Sequence, residues 1–181
     1  MKKLSMIAIG MILFGGVTLS GNGSIVDAAE TITSQASINI LSGPLSMTKA
    51  GDIDFGEIKI TGEEHQIKNG EDISVQFSDY RGTGEEGFEL QVKSDNAFEN
   101  KGLNLTLIPK EINVTQGTSL PPFFEVTDEF HVVAKGEQGV IEGGATDYDL
   151  TLGTSLLVNK QVRAGNYQTT LTWDLSATPN E

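Results

Sequence analysis

The sequence predicts an all-β fold, an antiparallel β-sandwich, and two patterns indicate it. Apolar and polar residues alternate with a period of two in short runs, as expected of half-buried strands. Segments rich in glycine and asparagine separate these runs, and both residues tolerate the backbone angles of turns. No amphipathic run is long enough to indicate a helix, so roughly nine strands favour a sandwich. An immunoglobulin-like topology and a two-lobed arrangement, divided at Pro121 and Pro122, are open variants.

The first five predicted strands cover residues 37–40, 53–60, 73–77, 88–92 and 103–107. In the last three, every second residue is apolar and its neighbours are polar, so one face of each strand can pack on a core. The apolar positions are Ile73, Val75 and Phe77, then Phe88, Leu90 and Val92, then Leu103, Leu105 and Leu107.

The remaining four predicted strands cover residues 130–134, 148–152, 155–158 and 167–175. The last run is the longest, and its alternate residues fall on one face of the strand. These residues are Tyr167, Thr169, Leu171, Trp173 and Leu175.

The N-terminus has the layout of a secretory signal peptide. A short positive region opens the chain, and an apolar stretch follows at residues 4–19. Small or β-branched residues lie at the two positions that a signal peptidase reads, so we expect cleavage after Ala28, with Ala29 as the alternative last residue. The apolar stretch is shorter than the ~20 residues needed to cross a bilayer, which argues against an uncleaved anchor. The expected organisation is a signal peptide over residues 1–28 and one sandwich domain over residues 29–181.

The charge balance limits the partners of the protein. Twenty-five acidic residues against 12 lysines and arginines give a formal net charge of −13. Nucleic acid, anionic lipid and teichoic acid are therefore poor electrostatic partners. The sequence has no cysteine, so apolar packing must hold an exported fold without disulfides. If the protein sits on a cell wall, it must recognise uncharged sugar, peptide or another protein.

Two motifs carry a family resemblance. Residues 167–179 read Tyr-Gln-Thr-Thr-Leu-Thr-Trp-Asp-Leu-Ser-Ala-Thr-Pro, and residues 75–82 read Val-Gln-Phe-Ser-Asp-Tyr-Arg-Gly, followed by Gly-Phe-Glu-Leu-Gln-Val at 87–92. The chain resembles the WxL family of Gram-positive surface proteins, in which the first pattern is the distal motif and the second the proximal one. This sequence departs from the family by placing Phe88 where a tryptophan is usual. Gly-Pro-Leu at residues 43–45 and Ile-Asp-Phe-Gly at residues 53–56 also look like family landmarks.

The resemblance implies a small WxL protein that is secreted and attached non-covalently to the cell wall through peptidoglycan. It also implies assembly with a membrane-anchored WxL-interacting protein and with larger WxL surface proteins, without insertion of this chain into the membrane. The alternative is a protein–protein module that docks on the membrane-anchored partner and has little affinity for wall. Leu-Pro-Pro-Phe at residues 120–123 superficially resembles a sortase signal, but it is internal and lacks the Thr-Gly step, so we expect no covalent sorting.

Two interpretations of the motif residues stay open. Phe88, Leu90, Trp173 and Leu175 either pack in the core or flank a groove for glycan or a partner protein, and rings that form a groove floor would do both. Their neighbours Tyr80, Arg81 and Tyr167 complete the predicted ligand- or partner-binding set. Arg81 either holds Asp79 and fixes the loop or binds a carboxylate of a peptidoglycan stem peptide, and Tyr80 is expected to be exposed.

Catalytic and metal sites are not expected. His65 and His131 lie in different runs and have no cysteine or further histidine for a metal site. No nucleophile-elbow sequence is present. The acidic pairs Glu85-Glu86 and Asp147/Asp149 could in principle hydrolyse glycan, and Asp52/Asp54 or Asp147/Asp149 could bind calcium. Ordinary surface charge explains these pairs more simply, so we expect neither enzyme, metal nor cofactor.

Overall fold

The computed structural model describes residues 33–68, 71–82, 87–137 and 146–178. The predicted signal peptide, residues 1–28, lies outside this part of the chain. The chain divides into two compact units, Met1–Asn39 and Ile40–Glu181. The described residues of the first unit, 33–39, form neither strand nor helix and are exposed. The second unit contains all of the described strands.

Ten strands and one short 3₁₀-helix make up the described secondary structure. The strands are β1 (Leu45–Ala50), β2 (His65–Lys68), β3 (Ile73–Asp79), β4 (Gly87–Ser94), β5 (Leu103–Ile112), β6 (Thr118–Ser119), β7 (Phe124–Glu125), β8 (His131–Gly136), β9 (Thr146–Val158) and β10 (Leu171–Thr178). The 3₁₀-helix Glu99–Lys101 ends at Gly102, whose φ of 78° suits a residue without a side chain. No α-helix occurs among the described residues, and the all-β prediction is confirmed.

The strands form two antiparallel sheets. The six-stranded sheet has the order β1-β3-β9-β5-β7, with β2 pairing β9 beside the end of β3, and the four-stranded sheet has the order β10-β4-β8-β6. From β3 to β10, consecutive strands alternate between the two sheets. The antiparallel sandwich predicted from the sequence is therefore the observed architecture.

One apolar core joins the sheets. Its fully buried side chains lie at alternate positions of the long strands, as the period-two pattern requires. They include Val75 and Phe77 on β3, Phe88, Leu90 and Val92 on β4, and Tyr148, Leu150 and Leu152 on β9. Residues on both sides of Pro121 and Pro122 contribute to this core. These prolines lie in the connection from β6 to β7, so they mark a crossover between sheets and not a boundary between lobes.

Three aromatic rings form the centre of the core near the start of β4. The rings of Phe77 and Tyr148 stack with centroids 4.6 Å apart, and Phe88 meets both edge-on at 4.9 Å. Phe88 also presses on Gly136, its neighbour on β8, where a Cβ atom would lie 2.2 Å from Cε1 of the ring. A side chain at position 136 would therefore have to displace the Phe88 ring.

Some predicted strands differ from the structure. Residues 148–152 and 155–158 belong to one continuous strand, β9, because no turn forms at Gly153. The prediction for residues 53–60 is wrong, since this segment forms no strand. Gly56 there adopts a φ of 67°, and its amide donates a hydrogen bond of 2.8 Å to Asp54 Oδ1, which bends the chain locally. Residues 37–40 are also not a strand, although their apolar alternation is regular.

Replacing Gly136 with alanine tests the core packing. We expect Gly136→Ala to lower the free energy of unfolding by about 1–3 kcal/mol, because the methyl group overlaps a ring that Phe77 and Tyr148 hold in place. Urea denaturation followed by circular dichroism measures the change. Gly165→Ala is the control, because its added methyl group would meet Tyr167 at an ordinary 3.5 Å. Equal stability of the two variants would contradict the packing described here.

Candidate functional site

Phe88 and Leu90 of the proximal motif lie in the core. Both are fully buried on the inner face of β4. Neither side chain can contact a ligand unless the sandwich opens. Their position corresponds to the packing interpretation of the motif.

The distal motif forms most of β10, which pairs with β4 in a regular antiparallel register. Trp173 lies opposite Val92, and Leu175 lies opposite Leu90. Directly opposed residues share a face of a sheet, so both motif side chains point toward the core. They are only half-buried, because β10 is an edge strand and has a neighbour on one side.

Tyr167 is separate from this strand. The run predicted to begin at Tyr167 becomes a strand only at Leu171. The Tyr167 hydroxyl donates a hydrogen bond of 2.7 Å to the carbonyl of Arg163, which closes a local turn. Tyr167 is half-buried against the core.

The loop after β3 is fixed by Arg81. Its Nε and Nη2 atoms donate to Asp79 Oδ1 and Oδ2 at 2.9 and 2.7 Å, in a bidentate pair whose side chains are 12% and 11% exposed. Nη2 also donates to the carbonyl of Gly87 at 3.0 Å, which ties the loop to the first residue of β4. The structure therefore contains the Asp79–Arg81 pair that one interpretation of the sequence expected.

This ion pair lies beside the buried aromatic rings. Burial raises the pKa of Asp79, but hydrogen bonds from the side chain and backbone of Arg81, together with its charge, outweigh burial and leave the pKa lowered. Burial, followed by the charge of Asp79, raises the pKa of Tyr148 to about 12. The Tyr148 hydroxyl has no hydrogen-bond partner among the described residues. The carboxylate is thus charged and the phenol neutral at physiological pH.

Tyr80 begins a polar surface on the outer face of the six-stranded sheet. Tyr80 is 39% exposed, and its hydroxyl donates to Asp147 Oδ1 at 2.7 Å. Ser78 Oγ donates to the same oxygen at 2.7 Å. These hydrogen bonds lower the pKa of Asp147, so its carboxylate stays ionised.

A second carboxylate continues this surface two residues along β9. Asp149 accepts hydrogen bonds from Ser74 Oγ at 2.7 Å and from Gln76 Nε2 at 2.9 Å, which lower its pKa. Asn113 bridges the two aspartates, donating to the carbonyl of Asp147 and accepting from the amide of Asp149 at 2.9 and 2.8 Å. We call this surface the polar ladder; it consists of Ser74, Gln76, Ser78, Tyr80, Asn113, Asp147 and Asp149.

The polar ladder was only partly visible in the sequence. Asp147 and Asp149 were recognised as a pair, and Tyr80 was expected to be exposed. Their association depends on the register of β3 against β9, in which Gln76 lies opposite Asp149 and Ser78 opposite Asp147. A carboxylate offers about four acceptor positions, so each aspartate keeps capacity for further hydroxyl or amide donors. Among the described residues, no group of three or more histidines, cysteines and acids is placed to hold a metal ion.

Comparison of the chain with models of protein families, with curated proteins and with solved structures gives no match. In the part of the chain that the structure describes, no helix has the length and apolar character of a membrane span.

Acid denaturation tests the role of Asp79. Since its folded pKa lies below the ordinary 3.8, the unfolded chain binds the proton first as pH falls, and the stabilisation is lost as pH drops through and below that value. We expect Asp79→Asn to cost about 1–3 kcal/mol at neutral pH and to weaken the acid dependence of stability. Urea denaturation between neutral pH and pH ~3 measures both effects.

The matched control is Asp72→Asn, which removes an exposed ion pair with Lys110. Exposed pairs contribute about 0–1 kcal/mol, so this variant should retain most of the wild-type stability at neutral pH. If Asp79→Asn left both the free energy of unfolding at neutral pH and its decrease toward acid pH unchanged, the anchoring role of the pair would be excluded.

Proposed function

We propose that this protein is a secreted, non-enzymatic subunit of a Gram-positive cell-surface complex, attached non-covalently to peptidoglycan. The observation that carries the proposal is the polar ladder, where an exposed tyrosine ring lies beside two ionised carboxylates and side-chain amides. Such groups bind neutral sugars and peptides, since carboxylates accept hydrogen bonds from hydroxyls and an aromatic ring covers an apolar sugar face. The resemblance to WxL proteins independently favours the wall as the site of attachment.

The charge of the chain supports the same mode of binding. A protein with a formal net charge of −13 gains nothing from bulk attraction to the anionic polymers of a wall. Binding must come from directional hydrogen bonds and ring contacts with uncharged parts of the glycan or stem peptide. The polar ladder offers these groups on one sheet face, where Tyr80, Asn113 and Asp147 are exposed and Gln76 and Asp149 are half-buried.

The two motifs serve this surface indirectly in our proposal. Phe88 and Trp173 pack β4 and β10 against the core, and β4 begins at Gly87, to which Arg81 is anchored. The anchored loop, together with backbone hydrogen bonds of Tyr80 with Gly43 and Pro44, sets the position of Tyr80. Phe88, Leu90, Trp173 and Leu175 are thus positioning residues that do not touch the ligand, and Arg81 holds the loop.

A second candidate function is a protein–protein module that docks on a membrane-anchored WxL-interacting protein and has little affinity for wall. The observation that favours it is the complete burial of Phe88, which removes one wall of the aromatic groove suggested by the motifs. Purified protein would then not bind wall sacculi until this partner is added. Larger WxL surface proteins would join the same complex.

Co-sedimentation tests the proposed function. We expect the secreted protein to pellet with Gram-positive sacculi stripped of protein and teichoic acid, because the ladder binds the polymer itself. Tyr80→Ala should raise the Kd at least about tenfold, corresponding to 1.4 kcal/mol. Chromatography of the supernatant should show no released muropeptides, as expected of a non-enzymatic protein.

Phe130→Ala is the control, because Phe130 is another aromatic residue of similar exposure, 43%, and precedes a strand of the other sheet. It should bind like wild type. Circular dichroism checks that both variants fold. Wild-type protein that stays in the supernatant would contradict direct wall binding and favour the docking module, and equal losses from both variants would exclude the ladder as the binding surface.

A further inference from the structure

The edge strands of the two sheets differ in how they are protected. β6 and β7 contain two residues each, and β2 is a four-residue strand that ends at Lys68. β1 carries Lys49 and has a register shift between Met47 and Lys49. Short length, lysine and bulges are the features that keep natural edge strands from pairing with other chains.

β10 has none of these features. It spans Leu171–Thr178, pairs with β4 without any register shift and contains neither lysine nor proline. Its one charged residue is Asp174. Within the described sheets, β10 is an edge strand, and β1 lies close to it without pairing to it. The edge of β10 is therefore long and regular, and its backbone is paired only on the β4 side.

The core-facing side chains of β10 also remain partly exposed to solvent. Leu171, Trp173 and Leu175 point toward the core but remain half-buried, whereas their neighbours Leu90 and Val92 on β4 are fully buried. A strand placed beside β10 would add both backbone hydrogen bonds and apolar contacts at this edge.

A segment suited to pair with this edge lies near the start of the described chain. In residues 37–42, Ser-Ile-Asn-Ile-Leu-Ser, apolar and polar residues alternate at the start, as in a strand with one apolar face. Ile38, Ile40 and Leu41 are 86%, 83% and 81% exposed. Residues 33–44 contain no charged side chain, so this segment can approach another acidic copy without local repulsion.

We propose that residues 37–42 of one copy add as a strand to the free edge of β10 in a second copy. The added strand forms backbone hydrogen bonds with the unpaired side of β10, and Ile38 and Ile40 lie beside Trp173 and Leu175. Donor and acceptor are different surfaces, so the contact is heterologous and links copies head to tail. The acceptor edge belongs to the four-stranded sheet, whereas the polar ladder lies on the six-stranded sheet.

Light scattering coupled to size-exclusion chromatography tests this interaction on the secreted protein over a dilution series. We expect wild type to exceed the monomer mass and to dissociate on dilution. The double variant Ile38→Asp/Ile40→Asp should be monomeric, because strand addition would bury its carboxylates. Both positions are exposed, so we expect the variant to keep the fold, and circular dichroism checks this. Excess synthetic peptide of residues 33–44 should likewise convert wild type to monomer.

Hydrogen exchange identifies the acceptor strand in the same samples. Amides of residues 171–178 should exchange at least about tenfold faster in the double variant than in wild type, because the pairing strand is lost. The control Ile58→Asp/Ile60→Asp changes two exposed isoleucines of the same spacing and should keep the wild-type mass and exchange. The proposal is overturned by a monomeric wild type, by an unchanged exchange rate in residues 171–178, or by equal dissociation of the control.

Discussion

The contact of Phe88 with Phe77, Tyr148 and Gly136 is the packing interaction on which the rest of the structure depends. It joins the sheets, since Phe77 and Tyr148 belong to one and Phe88 and Gly136 to the other. Arg81 extends the same junction by holding both Asp79 at the end of β3 and Gly87 at the start of β4. Tyr80 lies between them, and its backbone hydrogen bonds with Gly43 and Pro44 also fix its outward position. The buried residues of this junction thereby help to position an exposed residue, Tyr80.

The sequence predicted those parts of the fold in which burial repeats every second residue. Phe88, Leu90 and Val92 were assigned to one strand face because the core contacts all three. Residues 37–40 show the same kind of alternation but form no strand, because a strand requires a partner and periodicity does not reveal whether one is present. The Asp79–Arg81 pair is local and was foreseen. The bridge from Gln76 to Asp149 joins residues 73 positions apart and depends on a strand register that no local pattern contains.

Two sides of the sandwich therefore have different chemistry. The outer face of the six-stranded sheet presents hydroxyls, amides and ionised carboxylates that suit a neutral, hydroxyl-rich polymer. The edge of the four-stranded sheet presents a backbone that suits another strand. The polar ladder and the edge of β10 belong to different sheets, whereas residues 37–42 lead directly into Gly43, whose amide donates a hydrogen bond to the carbonyl of Tyr80. In this account, the aromatic and leucine residues of the motifs act by holding both sheets together.

The central claim is that Tyr80 and the polar ladder contact the ligand, whereas Trp173 packs on the core and does not. An NMR titration with soluble peptidoglycan fragments is its most direct test. The chain has one tryptophan, so Trp173 gives a single indole signal. We predict that the amides of Tyr80, Asp147 and Asp149 shift on addition of the fragments while the indole N–H of Trp173 does not. A shift of the indole with the ladder unchanged, or no shift at either place, would contradict the account.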